Sequence, residues 1–422
     1  MQQFHRHYKH GGADDGGERI IDSESSGHVL CRLHKKRPVK GVRMQTRFMH
    51  TSDWQLGVTR QFLNADSQAR WAEARFEGIR NLGRIAQEEK CEFIVVAGDI
   101  FESNQVDRRT VIKACAVMAD IPIPIYLLPA NHDPLDASSV FGSKPWKDRK
   151  PAHVHVLDVS GKSFEVRPGI EVVGAPWTSK RPLTDLVAVA ASGLQPVLGV
   201  LRVMVGHGAV DQLSPDRDNP AVIQVAEAEK AIQEGRYQYL ALGDRHSLTS
   251  IGASGRIFYS GTHEAYDFVE IDPGKVLIVD LNEDGVTATP RQNGVWCFEV
   301  HEAQISTAED VDALARYLDA MPDKERTILK LGLVGTLGIQ AHTRLEEIEE
   351  HARDLFAAVV RSGSRSELVV IPDNVDFENL SLAGFAASAV DKLRARTQGQ
   401  GTEREQASDA LALLVRLVGR AA

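Results

Sequence analysis

Between Arg47 and about Asp280 the chain alternates short β-branched runs with stretches in which apolar residues return every three or four positions. The runs Arg47–His50, Phe93–Ala97, Ile123–Leu128, Val154–Leu157, Ile170–Val173, Leu201–Val205, Tyr237–Leu242 and Ile257–Tyr259 predict strands. Between the first two, Phe76, Ile79, Leu82, Ile85 and Ala86 share one face of a predicted helix. A second helix is expected to start with Asp107 as its N-cap and to run through Met118. Strands and helices in alternation argue for a layered α/β domain.

The pattern changes after about residue 290. Arg326–Val334 alternates as a strand, Arg344–Val360 reads as a helix, and Leu368–Ile371 reads as a strand that stops at Pro372, which together predict a small α+β cap. Gln398–Thr402 is a polar linker, and the segment after it places Leu411, Leu414 and Val418 along one helical side, for packing on the cap or for gripping a partner. Residues 1–43 mix Gly, Asp, Ser, His and basic side chains without apolar periodicity and are expected to be disordered. Their cluster Lys35, Lys36, Arg37, Lys40 and Arg43 reads as a solvated tail or a nucleic-acid contact, and Met44 is an alternative start. The expected organisation is therefore a tail over 1–43, a main domain over 44–285, a cap over 290–396 and a C-terminal helix over 403–422.

With 43% hydrophobic and 25% charged residues, 422 residues can build a sizeable core, one large domain plus a smaller one. A net charge of -9 and a pI near 5.9 exclude a protein that coats nucleic acid by bulk positive charge, though not one with a local groove. Cys31, Cys91, Cys115 and Cys297 stand at no metal-like spacing and follow no signal-peptide pattern, so free thiols in a cytoplasmic protein are expected. No apolar run approaches the roughly 20 residues of a membrane span.

Five turns, each directly after a short apolar run, carry acids, amides or histidines: TSDWQLG (Asp53, Gln55), AGDIFE (Asp99), PANHDP (Asn131, His132, Asp133), VGHG (His207) and LGDRH (Asp244, His246). Carboxyl ends of strands are where α/β sheets place their ligands. One such turn is ordinarily a capped carboxylate or a satisfied histidine, but five in register form a set. They offer carboxylate oxygens, an amide oxygen and imidazole nitrogens without thiolate, the donors that hard or borderline divalent cations take. Gly98, Gly206 and Gly243 allow sharp turns beside them. A central carboxylate can bridge two ions about 3.5–4 Å apart, a spacing suited to phosphoryl displacement, and Asp99 is the best candidate bridge.

The order of these turns resembles the calcineurin-like metallophosphoesterases, and HTSDWQLG, LPANHDP, YLALGDRH and FYSGT resemble the SbcD-type DNA-repair exonuclease branch. The resemblance spans about residues 47–280 and reaches the cap only loosely. It implies a sandwich of two central sheets flanked by helices, and two divalent ions, manganese first, with magnesium or iron as alternatives. It assigns one ion to Asp53, Gln55, Asp99 and His246, the other to Asp99, Asn131, His207 and Asp244, and the catalytic role beside them to His132. It further implies DNA as substrate, 3′-to-5′ exonuclease action with single-strand endonuclease activity, a homodimer through the helix between Asp66 and Glu89, and an SMC-type (SbcC-like) ATPase partner.

Two positions depart from that pattern: Gln55 stands where the family has a histidine, and Asp244 where it has the first histidine of GHxH. A glutamine oxygen is a weaker donor than imidazole for manganese or iron, whereas a third aspartate favours harder ions. A two-ion site would acidify a water for in-line attack on phosphorus while His132 assists the leaving oxygen. Asp133 orients that imidazole or caps local N–H groups; Trp54 and Trp177 stack on bases or belong to the core; Tyr259 and His263 follow the last motif, where relatives line the cleft. Beside the nuclease, two other functions fit: a phosphoesterase of nucleotides or other small phosphodiesters, and a non-catalytic DNA-end or ATPase-binding subunit.

Overall fold

A computed structural model describes residues 44–216, 218–363, 366–371 and 385–397, together with 402, 403, 406, 407 and 410. The tail over 1–43 and the stripe of Leu411, Leu414 and Val418 lie outside the described residues. The chain opens with β1 (Gln45–Thr51), α1 (Ala65–Glu88), β2 (Ile94–Val96), α2 (Arg108–Ala119), β3 (Ile125–Leu127), α3 (Lys144–Arg149) and β4 (Val154–Val156). It continues with β5 (Ser163–Arg167), β6 (Ile170–Gly174), α4 (Leu186–Ser192), β7 (Leu201–His207), α5 (Val225–Gln233), β8 (Tyr239–Gly243), β9 (Thr249–Ile251) and β10 (Ile257–Tyr259), then β11 (Lys275–Asn282) and β12 (Val286–Gln292).

These strands make two six-stranded sheets, ordered β12-β11-β1-β2-β3-β4 and β5-β6-β7-β8-β10-β9. The inner strands β1 to β4 run parallel, as do β6, β7, β8 and β10, so their carboxyl ends point the same way within each sheet. Side chains alternate across each sheet because successive residues face opposite sides. Ile94 and Val96 of β2 therefore meet α1 and α2, whereas Phe93, Val95 and Ala97 meet β6, β7 and β8 of the facing sheet. Helices α4 and α5 cover the outer side of the second sheet. The result is the expected helix–sheet–sheet–helix sandwich. Each fully buried Val or Leu in the middle contributes about 1.5–3 kcal/mol relative to exposure.

The helix starts follow local chemistry. The Asn64 side chain accepts from Ser67 N at 2.8 Å to cap α1. Asp107 accepts from Arg109 N and Thr110 N, the N-cap expected for α2.

The second unit of packing comprises β13 (Cys297–Gln304), α6 (Ala308–Ala320), β14 (Thr327–Gly338), α7 (Ile339–Leu355), β15 (Ala358–Arg361), β16 (Glu367–Ile371) and α8 (Phe385–Thr397). Leu329, Leu331, Leu333 and Leu337 of β14 pack on Val311, Leu314 and Leu318 of α6 and on Leu345, Ile348 and Ala352 of α7. Trp71 of α1 packs with Trp296, Ile328 and Ala357 at the seam with the main domain. There Ser67 Oγ also donates to Ala357 O at 2.6 Å, and an Arg70 guanidinium N–H donates to Glu325 O at 2.8 Å.

Two boundaries differ from expectation. The main domain does not close at 285, because β11 pairs with β1 and β12 with β11 as the outer strands of the first sheet, so a cap starting at 290 would cut a hairpin. Nor does helix run to Val360: α7 ends at Leu355, and Ala358–Arg361 pairs parallel with β14, where β-branched Val359 and Val360 suit a strand. The described cysteines Cys91, Cys115 and Cys297 are free, and no helix among the described residues is long and apolar enough to cross a membrane.

Candidate metal centre

All five sequence-singled turns emerge from carboxyl ends: Asp53 and Gln55 after β1, Asp99 after β2, Asn131 and His132 after β3, His207 as the last residue of β7, and Asp244 and His246 after β8. The first two turns are laced together, Asp53 N donating to Gly98 O at 3.0 Å and Gln55 N to Asp99 O at 2.9 Å. The backbone is strained here. Of seven non-glycine residues with positive φ among the described ones, four are Asp53 (53°), Gln55 (47°), Asp99 (52°) and Asp244 (99°). Such conformations cost about 1–3 kcal/mol each and persist where surrounding structure over-determines them. At Gly243 an added Cβ would lie 1.9 Å from Ala97 O and 2.8 Å from His207 Nδ1, so only glycine lets these strand ends converge.

The side chains converge on a buried cluster. Asp53, Asp99 and His207 each offer a ligand atom within 4.8 Å of the others. His207 Nε2 lies 3.5 Å from Asp99 Oδ2 and 3.7 Å from Asp244 Oδ1; His246 Nε2 lies 3.9 Å from Asp53 Oδ1; His132 Nε2 lies 3.8 Å from Asp99 Oδ2. These gaps are too long for hydrogen bonds. Ligands held at about 2.0–2.2 Å by one ion sit about 3–3.5 Å apart, close to what is seen.

Each imidazole is fixed by its other nitrogen. His207 Nδ1 donates to Ala97 O at 2.7 Å, His132 Nδ1 to Glu102 O at 2.8 Å, and His246 Nδ1 to Glu270 Oε1 at 2.8 Å. That leaves every Nε2 facing the cluster, since a hydrogen bond at the far nitrogen sets the tautomer of a metal-binding histidine.

Three buried atoms in the cluster lack any hydrogen-bond partner: Gln55 Oε1, Asn131 Oδ1 and His207 Nε2. A buried acceptor without a partner costs about 1–3 kcal/mol, and all three are lone-pair donors of the kind a divalent cation takes. Gln55 meanwhile donates through Nε2 to Asp99 Oδ2 at 2.9 Å, so the amide holds the central carboxylate while its oxygen stays available. The residues present fit a divalent cation.

Electrostatics point the same way. Burial raises the Asp53 carboxyl above the ordinary carboxylate range. Burial also disfavours a charged His207, yet Asp99, Asp53 and Asp244 outweigh it and lift its pKa to about 10. For Asp99 burial acts upward, but His207 wins and holds it below the usual range. Without a bound cation, the imidazole of His207 supplies the positive charge that this cluster of acids demands.

Other residues fall into place differently. Asp133 does not orient His132: its carboxylate accepts from Ala130 N at 2.9 Å and Phe101 N at 3.0 Å, the turn-capping role. Trp54 and Trp177 are buried, donating to Thr51 Oγ1 and His207 O, and offer no face to a base. His263 is buried against α1, donating through Nε2 to Arg75 O. Tyr259 donates its hydroxyl to Gly208 O.

Sequence reasoning missed three supports. Glu270 orients His246. Glu102 O orients His132. Arg75, buried on α1, donates to the carbonyls of Trp54, Asp53, Glu264 and Ala265, tying the first turn to the loop after β10. Burial lowers its pKa to about 10. Its spacing of four from Trp71 and from Ile79 places it on the apolar face, the one signal that marked it.

Residues 46–225, the stretch from β1 through β7 and onto the start of α5, match the model of the calcineurin-like phosphoesterase family. Among solved structures the chain is similar to a Thermus thermophilus protein, at 11% identity and TM-score 0.37, over 58% of this chain and 99% of that one. It is also similar to a dimetal phosphatase from Danio rerio (10%, TM-score 0.36, 58% and 98% covered). A third is a purple acid phosphatase from yellow lupin seeds (10%, TM-score 0.35, 61% and 53% covered).

Proposed function

We propose that this protein is a two-metal phosphodiesterase acting on DNA, a 3′-to-5′ exonuclease in the manner of the SbcD-type enzymes. The observation that carries the metal-dependent chemistry is the set of unpartnered ligand atoms on Gln55, Asn131 and His207 beside the carboxylates of Asp53 and Asp99. The wording of the turns around them supports DNA as the substrate. One ion would be held by Asp53, Gln55, Asp99 and His246, the other by Asp99, Asn131, His207 and Asp244. Two such ions supply Lewis acidity toward a phosphoryl group and a water of lowered pKa.

The chain's own residues do the rest. His132 keeps Nδ1 on Glu102 O, so its Nε2 faces the cluster and, in the protonated imidazolium, would give its proton to the leaving oxygen. Arg75 and the laced turns hold the carboxylates without reorganisation. In this reading manganese is the working ion, the protein pairs as a homodimer, and an SMC-type ATPase is its partner.

A second reading, hydrolysis of a small nucleotide ester, is favoured by the net charge of -9 and by a cleft of about 360 Å³ that opens beside Asp244 and His246. The test is to strip the protein, reload it with manganese, and assay end-labelled linear DNA and a chromogenic phosphodiester in parallel, with Asp99→Ala and His132→Ala as controls. Manganese-dependent degradation of DNA that both substitutions abolish is expected. Turnover of the small ester alone would favour the second reading. Metal bound with turnover of neither would leave a non-catalytic subunit.

A further inference from the structure

The 360 Å³ cleft joins the cluster at Asp244, His246 and the Glu270 behind it, and is otherwise built from residues the chemistry does not use. One wall is the loop through Ala209, Val210 and Leu213; the other is Val269 and Ile271. Leu213 is 44% exposed, Val269 84% and Ile271 70%. Large apolar side chains left in solvent around a concave site mark a ligand surface more often than isolated exposed ones do.

These positions are held in place. Val269 and Ile271 flank Glu270, whose carboxylate is fixed by His246 Nδ1 and by Tyr266 N at 2.9 Å, and Ile271 N donates to Ser247 Oγ at 2.9 Å. The contact that orients a candidate metal ligand therefore also presents the apolar pair. Tyr259 lines the cleft with its hydroxyl tied to Gly208 O. Arg245, held through Nε by Thr249 Oγ1 at 2.8 Å, and Ser214 add polar groups. The cleft thus pairs apolar walls with hydrogen-bonding groups, directly beside the place for a phosphate.

We infer that this cleft receives the nucleoside of a nucleotide ester, its ring against Leu213, Val269 and Ile271 and its polar edge toward Arg245. The volume falls within the range of small-ligand sites, and continuity with the cluster through Asp244 and His246 selects the occupant: the organic group attached to the phosphate. The inference rests on the phosphoesterase reading and adds to it a nucleoside subsite and the residues that set it.

Equilibrium binding tests it on the manganese-loaded full chain, with thymidine 5′-monophosphate and inorganic phosphate as probes. The nucleotide is expected to bind at least about 10-fold more tightly than phosphate, and Leu213→Ser and Ile271→Ser each to remove most of that gain while phosphate affinity stays within about 2-fold. Both side chains are exposed, so neither change should impair folding. Equal affinity for the two probes in the unmodified protein, or a gain that survives both substitutions, overturns the subsite. Hydrolysis of bis(4-nitrophenyl) phosphate, compared with Asp99→Ala, separately tests the phosphoesterase reading. Its failure alongside an intact, substitution-sensitive nucleotide preference would sink that reading and leave the subsite standing.

Discussion

Val95 and Asp99 stand four residues apart, one on β2 and one in the turn beyond it, and are buried to nearly the same degree. Val203, Val205 and His207 repeat the contrast along β7. Between the sheets, each side chain meets apolar neighbours and the backbone is regular. At the strand ends, acids and unpartnered donors crowd together on positive-φ backbone. Equal burial thus has opposite energetic meaning: the inter-sheet core stabilises the fold, and the strand-end cluster spends part of that stability to hold an arrangement that only a cation completes.

The sharpest way to break this comparison is to neutralise an acid without changing its shape. Asp53→Asn should abolish tight manganese binding and lower turnover by at least about 10³-fold. At neutral pH the melting point of the metal-free protein should move little, because relief of the buried Asp53 charge offsets its lost attraction for protonated His207 and the amide oxygen can still accept from Ser52 Oγ. A lowered melting point in metal-free protein would mean the cluster stabilises the fold after all.

The converse substitution belongs in the core. Leu281, buried between the sheets on β11 and paired with Thr46 at the end of β1 away from the cluster, should cost about 2–5 kcal/mol as Leu281→Ala. Metal affinity and kcat of the folded fraction should stay unchanged. Denaturant unfolding and metal titration on one preparation read both.

Next in size is Glu270→Gln, which keeps a hydrogen-bond acceptor for His246 but removes the charge behind it. Metal affinity is expected to fall about 10- to 100-fold with little change in stability. A drop in stability with unchanged affinity would make Glu270 a structural residue instead.

Acidity offers a finer probe. His207 titrates near pH 10 in the metal-free protein, so at neutral pH it carries a proton that a metal ligand cannot keep. Loading should release about one proton, and apparent affinity should climb about 10-fold per pH unit below that value. The linkage to stability has the opposite sense. In metal-free protein the attraction between protonated His207 and its acids is fully present below about pH 6.5 and is lost as pH rises through about 10. Calorimetry in buffers of different ionisation enthalpy counts the proton.

The two regions were also unequally legible. Long buried runs such as Phe93–Ala97 stand out because parallel strands covered on both sides are continuously apolar. The edge strands β5 and β12, half exposed and polar on one side, carry no such signal, and three-residue β9 is too short to show a period. That is why the domain boundary slipped into a hairpin. The turns that converge were marked by residue type and position after strands. Their supports were not: Glu270 lies in an irregular loop and meets His246 only through the tertiary fold, and a positive φ at an aspartate leaves no trace in composition.

Gln55 is where the comparison can be sharpened most finely, because two effects of similar size oppose there. Imidazole is the better donor for manganese or iron, and histidine is among the residues that enter the left-handed region more readily, which suits φ 47°. Against this, Gln55→His removes the Nε2 hydrogen bond to Asp99 Oδ2, which holds the central carboxylate in place. A charge-assisted bond of this kind is worth about 1.5–3 kcal/mol, but a bound cation takes over much of its role on Asp99. The donor change should therefore prevail once metal is present: about 10-fold tighter manganese binding, with kcat within about 3-fold. In metal-free protein the same substitution should lower the melting point. A substitution that weakens manganese binding would instead show that Gln55 serves the site by positioning Asp99 rather than by offering its oxygen.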